Sequence, residues 1–104
     1  MLKISSPLEF EWDSGNKDKN FLKHEVRNRE AEEIFSSSPK YFLKDNKHSK
    51  IEKRYQIWGR TSKNRKLSII FTIRSKKIRI ISARDMNMKE RRVYEKKAKR
   101  NTKI

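Results

Sequence analysis

The chain has 104 residues, no cysteine and a net charge of +16. Its length fits a single domain over residues 1–104, with a folded core over about 8–98. The absence of cysteine excludes disulfides and thiolate metal sites. It contains no signal peptide and no apolar run of the roughly 20 residues that span a bilayer, so we predict a cytoplasmic protein. Residues 1–52 carry ten Lys or Arg against ten Asp or Glu, but residues 53–104 carry nineteen against three, which favours a polyanion as partner over a merely solvated surface.

The first half of the chain predicts a strand followed by two helices. LEFEWD alternates apolar and acidic residues, which indicates a half-buried strand over 8–13. Asp13 is expected to cap a helix over 14–24, with Phe21 as its clearest apolar contact. A second, short helix is predicted to begin at Asn28 and to end at the turn residues SSSP. Its buried stripe consists of Ala31, Ile34 and Phe35.

The second half predicts an antiparallel sheet. A brief edge strand is expected at 41–43 and a polar loop at 45–50. The next strand, 53–59, has two faces. One carries Tyr55 and Ile57, and the other carries Arg54, Gln56 and Trp58. In LSIIFTIRS the core-facing residues are predicted to be Leu67, Ile69, Phe71 and Ile73. The residues on its opposite face are Ser68, Ile70, Thr72 and Arg74.

A hairpin with Ser75 and Lys76 at its tip joins this strand to KKIRIISARD. The register then pairs apolar with apolar on the core face: Phe71 with Ile80 and Ile73 with Ile78. On the open face it pairs Arg74 with Lys77 and Thr72 with Arg79. Like charges set opposite one another are destabilising, so this face is not there for stability. Strict alternation places Arg84 on the isoleucine face, past the core, where we expect it to turn toward a cleft.

A C-terminal helix is predicted after the hairpin, with Asn87 and Glu90 at capping-box spacing. Its thin apolar stripe consists of Val93, Tyr94 and Ala98. The tail 99–104 is expected to fray. The predicted fold is therefore α+β: an antiparallel sheet with two N-terminal helices and a closing C-terminal helix.

Several kinds of site are absent from the sequence. With only Gly15 and Gly59 there is no phosphate-binding glycine loop, and His24 and His48 are too few and too far apart for a metal site. We therefore expect neither a metal nor another cofactor.

The arginines and one histidine suit metal-free RNA cleavage, in which the neighbouring 2′-hydroxyl is the nucleophile. Arginine binds phosphate oxygens and remains charged, and histidine transfers protons. The arginines and His24 each also have a simpler interpretation. The arginines would bind the phosphate backbone without catalysis, and His24 would be a helix-end cation favoured by the dipole.

An ordered set of segments resembles the BrnT family, the ribonuclease toxins of type II toxin–antitoxin systems. The segments are FEWD, Asn20, KHEV, AEEIF, FTIR, IRIISAR and ERRVYE, and they cover roughly residues 9–96. The resemblance implies a RelE-like fold, RNA cleavage and inhibition of translation. It also implies a BrnA-type antitoxin with a ribbon-helix-helix element. The toxin and the antitoxin would form a heterotetramer, in which only the antitoxin contacts operator DNA.

The resemblance also implies site residues. The catalytic group would be His24, Arg74 and Arg84. The RNA-binding group would be Lys23, Arg54, Lys77 and Arg79. Glu90 and Tyr94 match the family's ExxxY and have either a site role or a structural one. The chain departs from the family pattern at Asn16, which stands where a lysine is usual, and at Glu25 and Asn28. The alternative function is a non-catalytic basic module that binds nucleic acid or the ribosome.

Overall fold

A computed structural model describes residues 8–44 and 52–102, so the predicted loop 45–50 lies outside the described residues. The elements, in chain order, are α1 (Lys19–His24), α2 (Asn28–Ile34), β1 (Tyr41–Lys44), β2 (Tyr55–Arg60), β3 (Lys66–Arg74), β4 (Lys77–Asp85) and α3 (Met88–Thr102). The strands form one antiparallel sheet in the order β1-β2-β3-β4. The predicted α+β class is confirmed, and so is the edge position of the strand that begins at Tyr41.

The predicted strand over 8–13 is wrong. Within this segment only Phe10 forms an isolated parallel bridge, to Ile78 of β4. The chain then turns at Asp13, whose carbonyl accepts hydrogen bonds from the N–H groups of Asn16 and Lys17, so pairing with β4 cannot continue. The apolar side chains of the segment nevertheless pack against the core, as their alternation predicts.

The first helix is shorter than predicted. Residues 14–18 form turns, α1 begins at Lys19, and Asp13 binds the N–H of Gly15 (2.8 Å) instead of capping a helix. Phe21 was expected to be its apolar contact, but Phe21 is 43% exposed and the buried residue of α1 is Asn20. The reason lies in what α1 packs against, which is the backbone of an edge strand.

Three polar side chains from the α1 region cover the outer edge of β4. Asn16 donates to the carbonyl of Ile80 (3.1 Å), Lys19 donates to that of Ile81 (3.1 Å), and Asn20 accepts from the N–H of Ala83 (3.0 Å). An edge strand presents backbone groups that need partners. A polar face on α1 therefore stabilises this contact where an apolar one would leave those groups unpaired.

The main core lies between one face of the sheet and α2. Its buried residues are Val26, Ala31, Ile34, Phe35, Ile57, Leu67, Ile69, Phe71, Ile78, Ile80 and Ala83. These include all three residues predicted for the stripe of α2, and three of the four predicted for β3, while Ile73 is partly buried. The alternation in the sequence therefore identified the core face correctly.

The predicted hairpin register is confirmed, with Arg74 opposite Lys77 and Thr72 opposite Arg79. The tip residues Ser75 and Lys76 both have positive φ, 50° and 66°, as a two-residue hairpin turn of the primed type requires. Neither is glycine, so this turn stores some backbone strain.

A β-bulge interrupts β4. Phe71 pairs with Ile80 and Ile70 pairs with Ser82, so Ile81 is an extra residue with no partner in β3. Because side chains alternate along a strand, the extra residue reverses the faces of everything after it. Arg84 pairs with Ser68 and thus lies on the face opposite the main core. The prediction that Arg84 lies on the isoleucine face is wrong for this reason.

Helix α3 covers one end of that opposite face. Trp58, Met86 and Tyr94 are buried there in a second cluster, and the Tyr94 hydroxyl donates to the carbonyl of Pro39 (2.7 Å). The predicted capping box is confirmed, with Asn87 and Glu90 binding each other's N–H groups. Val93, predicted to be in the apolar stripe, is 40% exposed, because it lies 100° around the helix from the buried Tyr94.

The helix continues to Thr102, and fraying of the tail stays a prediction. In the part of the chain that the structure describes, no helix is long and apolar enough to cross a membrane.

Candidate functional site

The open face is the side of β3 and β4 that points away from the main core. It contains Ser68, Ile70, Thr72 and Arg74 of β3, and Lys77, Arg79, Ser82 and Arg84 of β4. Strand pairing and the bulge together therefore place three predicted site arginines on one surface. Without the extra residue at Ile81, Arg84 would lie on the other side.

The arginine pocket, of about 200 Å³, lies at the hairpin end of the open face. Its lining includes Lys19, Glu52, Arg54, Arg74 and Arg79. Three residues that the sequence predicted separately are thus brought together, and Lys19 of α1 joins them. A concave surface with four cations suits an anionic group such as phosphate.

Carboxylates already contact the cations of the arginine pocket. Arg79 binds Glu11 (2.9 Å) and Asp13 (2.9 and 3.1 Å), while Arg74 binds Glu52 (3.1 Å). The hydrogen bond with Arg79 is the largest cause that lowers the pKa of Asp13. The expected crowding of like charges is therefore offset by acids from the first half of the chain, and a bound phosphate would have to replace them.

Arg84 is held by α3. Its Nη1 and Nη2 atoms donate to the two carboxylate oxygens of Glu90 (2.7 and 3.0 Å), and Nη1 also donates to the carbonyl of Asp85 (3.2 Å). The bond to Arg84 is the largest cause that lowers the pKa of Glu90. Among the described residues, all hydrogen bonds of Arg84 come from these two nitrogens. These bonds orient the guanidinium. Its Nε–H group has no hydrogen-bond acceptor among the residues that the structure describes.

The two residues of the ExxxY match have structural contacts. Glu90 caps α3 and orients Arg84. Tyr94 is fully buried, and burial raises the pKa of its hydroxyl. A direct contact between Tyr94 and a large ligand would need α3 to move away from the sheet.

His24 is the last residue of α1 and is half-buried, next to the exposed Lys23. Its carbonyl accepts a hydrogen bond from Arg65, which also binds Asp85 (3.1 and 3.0 Å from Nη2). His24 is therefore near the C-terminal end of β4. Asp85 is opposite the core residue Leu67, however, whereas Arg84 is opposite Ser68 on the open face, so the Asp85 and Arg84 side chains leave β4 on opposite faces.

The predicted catalytic residues do not all meet. Arg84 pairs with Ser68, and Arg74 is six residues further along β3. At about 3.4 Å per residue these positions are about 20 Å apart. Arg74 and Arg84 are therefore too far apart to bind one phosphate-sized group together.

Sequence reasoning missed Arg65, in the loop between β2 and β3. Its guanidinium donates to Asp85 (2.7 and 3.0 Å), to Glu30 (3.2 Å) and to the carbonyls of Glu25 (2.9 Å) and His24 (3.1 Å). These bonds use every N–H group that arginine has, and they raise its pKa. Alternation cannot reveal such a residue, since it lies in a basic loop and not on a strand.

Asn16, where the family usually has lysine, is 3% exposed. Its side chain amide donates to the carbonyls of Glu11 and Ile80 and accepts from the N–H of Asp13. The position is thus structural in this chain. Across the described residues, no three His, Asp or Glu side chains form a group that could hold a metal ion.

Comparison with protein families gives one match. Residues 12–90, more than half of the chain, match the model of a family described as "Ribonuclease toxin, BrnT, of type II toxin-antitoxin system". A search of curated proteins found no match.

Proposed function

Since the chain belongs to the BrnT family of ribonuclease toxins of type II toxin–antitoxin systems, we propose that it cleaves RNA without a metal ion, in the cytoplasm, and so inhibits translation. The observation that carries this proposal is the row of arginines on the open face, from the arginine pocket to Arg84. An RNA strand lying along β4 would meet Arg84 at one end, Arg79 about 14 Å away and Arg74 about 20 Å away.

The cleavage step transfers the phosphate to a neighbouring oxygen of the same RNA. The 2′-oxygen forms a bond to phosphorus while the bond to the 5′-oxygen of the next nucleotide breaks. A base takes the proton of the 2′-hydroxyl and an acid donates one to the leaving oxygen. The products are a 2′,3′-cyclic phosphate and a 5′-hydroxyl, so atoms and charge balance without a metal.

Arg84 is the residue that we assign to the scissile phosphate. The phosphorane-like transition state carries extra negative charge, and a preoriented cation stabilises it more than the ground state. The bond to Glu90 supplies that orientation and leaves the Nε–H edge for a phosphate oxygen. His24, whose carbonyl is linked through Arg65 to Asp85 at the end of β4, is our candidate for proton transfer.

Arg54, Arg74, Arg79 and Lys77 bind the RNA backbone in this proposal. The distance to Arg84 moves Arg74 from catalysis to positioning. Phosphate contacts of this kind fix the position of the strand and carry no sequence information. Lys23, exposed beside His24, is a further backbone contact.

RNA cleavage in excess chelator tests this function. We expect purified protein to produce defined fragments with 2′,3′-cyclic phosphate ends, and an Arg84→Ala variant to produce them far more slowly. Binding of RNA without any cleavage would favour the alternative, a non-catalytic basic module. Cleavage that stops in chelator would overturn the metal-free mechanism.

Family membership implies an antitoxin partner and an RNA substrate. We propose further that the antitoxin is a BrnA-type ribbon-helix-helix protein, that the complex is a heterotetramer, and that operator DNA is bound only through the antitoxin. Its role is to cover the open face. Co-expression with the neighbouring gene, followed by gel filtration and an RNA cleavage assay, tests this. A neighbouring product that neither co-elutes nor suppresses cleavage would contradict the proposal.

A further inference from the structure

Helix α3 has a strongly cationic outer side. The residues that it turns toward the protein are spaced by four: Glu90, Tyr94 and Ala98. We call a set of exposed cations on the opposite side the cationic stripe: Lys89, Arg92, Lys96 and Arg100. At 100° and 1.5 Å per residue, the stripe lies in one sector of the helix and is about 16 Å long.

The cationic stripe is not explained by the stability of the helix. Its members are three or four residues apart, where like charges repel and destabilise a helix. Lys89 also lies in the first turn, where the helix dipole disfavours a cation. The two acidic residues of α3 do not offset this, because Glu90 binds Arg84 and Glu95 binds Lys66. This arrangement favours an anionic partner outside the protein.

We infer that the cationic stripe is a second RNA-binding surface, which holds the sugar–phosphate backbone of the substrate beyond the cleavage site. The inference rests on the proposed function. Lys89 directly precedes Glu90, and Glu90 holds Arg84, so the stripe begins beside the proposed catalytic arginine. Exposed lysines and arginines at helical spacing bind phosphates by charge alone and without sequence preference.

The test compares the salt dependence of RNA binding. The variant carries Lys89→Gln, Arg92→Gln, Lys96→Gln and Arg100→Gln, since glutamine forms helix as readily as lysine and arginine do. The probe is a fluorescent single-stranded oligonucleotide with 2′-O-methyl groups, which cannot be cleaved. Each lost phosphate contact reduces the slope of log K against log salt by about 0.7, so four lost contacts reduce it by about 3. With cleavable RNA, KM should rise and kcat should change little.

A charge-matched control separates this surface from general attraction. It carries Arg27→Gln, Arg29→Gln, Lys40→Gln and Lys63→Gln, four cations that are exposed elsewhere on the described surface. We expect the control to reduce the slope by much less than the stripe variant. Two half-variants, Lys89→Gln with Arg92→Gln and Lys96→Gln with Arg100→Gln, should each give about half of the effect. Circular dichroism checks that each variant keeps its helices.

The outcomes are distinguishable. A slope that falls no further in the stripe variant than in the control, while the unchanged protein cleaves RNA, overturns the stripe as an RNA surface and leaves the proposed function in place. Unchanged protein that neither binds nor cleaves RNA overturns both.

Discussion

Arg65 and Arg79 both lie in the basic half of the chain and each binds two carboxylates, but the acceptors around them differ. Arg65 also donates to the main-chain carbonyls of His24 and Glu25, and so joins α1, α2 and the end of β4. Among the described residues, Arg79 donates hydrogen bonds only to the side chains of Glu11 and Asp13, and it lines a pocket. Carbonyls at a helix end are fixed in place, whereas a carboxylate on a half-exposed or exposed residue can turn to water. In our proposal, the kind of acceptor, and not the number of ion pairs, separates a structural arginine such as Arg65 from a ligand-binding arginine such as Arg79.

Arg84→Ala is the substitution with the largest expected effect. It tests the same distinction at the proposed cleavage site. Arg84 has one carboxylate partner and an Nε–H edge without one among the described residues. Arg84→Ala should lower the rate of RNA cleavage about a hundredfold, which is about 3 kcal/mol of transition-state stabilisation. Single-turnover cleavage at saturating protein measures it. Arg84→Lys keeps the charge but loses the bidentate bond, and should recover only part of the rate. Full activity in the alanine variant would remove Arg84 from the site.

Arg65→Ala should be the most destabilising of these substitutions. We expect the free energy of unfolding to fall by about 2–3 kcal/mol, because carbonyls at the end of α1 and two carboxylates lose their donor. Urea denaturation followed by tryptophan fluorescence measures the change. Arg79→Ala is the matched control, and should lower stability by about 1 kcal/mol or less, since its partners can be solvated. Equal losses in the two variants would contradict the comparison.

Removing the carboxylates around Arg79 should strengthen RNA binding. In Glu11→Gln with Asp13→Asn, phosphate no longer competes with two anions for the guanidinium. We expect the affinity for a non-cleavable RNA to rise by up to about fivefold, measured by fluorescence anisotropy. Glu30→Gln, the corresponding change beside Arg65, should leave this affinity unchanged. An affinity that falls in the double variant would show that the pocket does not bind phosphate.

Acid should weaken the carboxylate contacts of both arginines, and this is the smallest of the expected effects. The pKa of Asp85 is lowered in the folded protein, first by its hydrogen bond to Arg65. A group of this kind contributes stability above its unfolded pKa of about 3.9, and the contribution is lost as pH falls through the lower folded value. Denaturation at pH 7, 5 and 3.5 should therefore show a decline in acid. Asp85→Asn should reduce that decline. Asp13→Asn should reduce it as well, because the pKa of Asp13 is also lowered in the folded protein, first by its hydrogen bond with Arg79.

Alternation in the sequence was sufficient to predict the hairpin strands β3 and β4, their register and the core face, because these depend on burial of apolar side chains, but over 8–13 it predicted a strand that does not form. It failed where backbone groups needed partners. The edge of β4 is satisfied by Asn16 and Asn20, and no apolar pattern marks such residues. The apolar side chain of Phe21 predicts a core contact, but α1 packs against the polar backbone edge of β4, so Phe21 stays exposed.

The position of Arg84 was mistaken for a different reason. The two adjacent apolar residues Ile80 and Ile81 break the alternation of β4, and that break is the visible sign of the bulge. A strict count of alternate residues ignores this break and assigns Arg84 to the wrong face. The Arg65 network was beyond prediction, since it joins residues that are 20 to 41 positions apart in the chain.

The bulge also bears on which changes of length the gene can tolerate. Deleting the single codon for Ile81 would restore unbroken alternation, move Ala83 out of the core and turn Arg84 inward, so one lost residue would undo both packing and chemistry. A conservative replacement of Ile81 would keep the count and preserve both. In a deep mutational scan of deletions and substitutions, we therefore expect this codon to accept many substitutions while rejecting deletion.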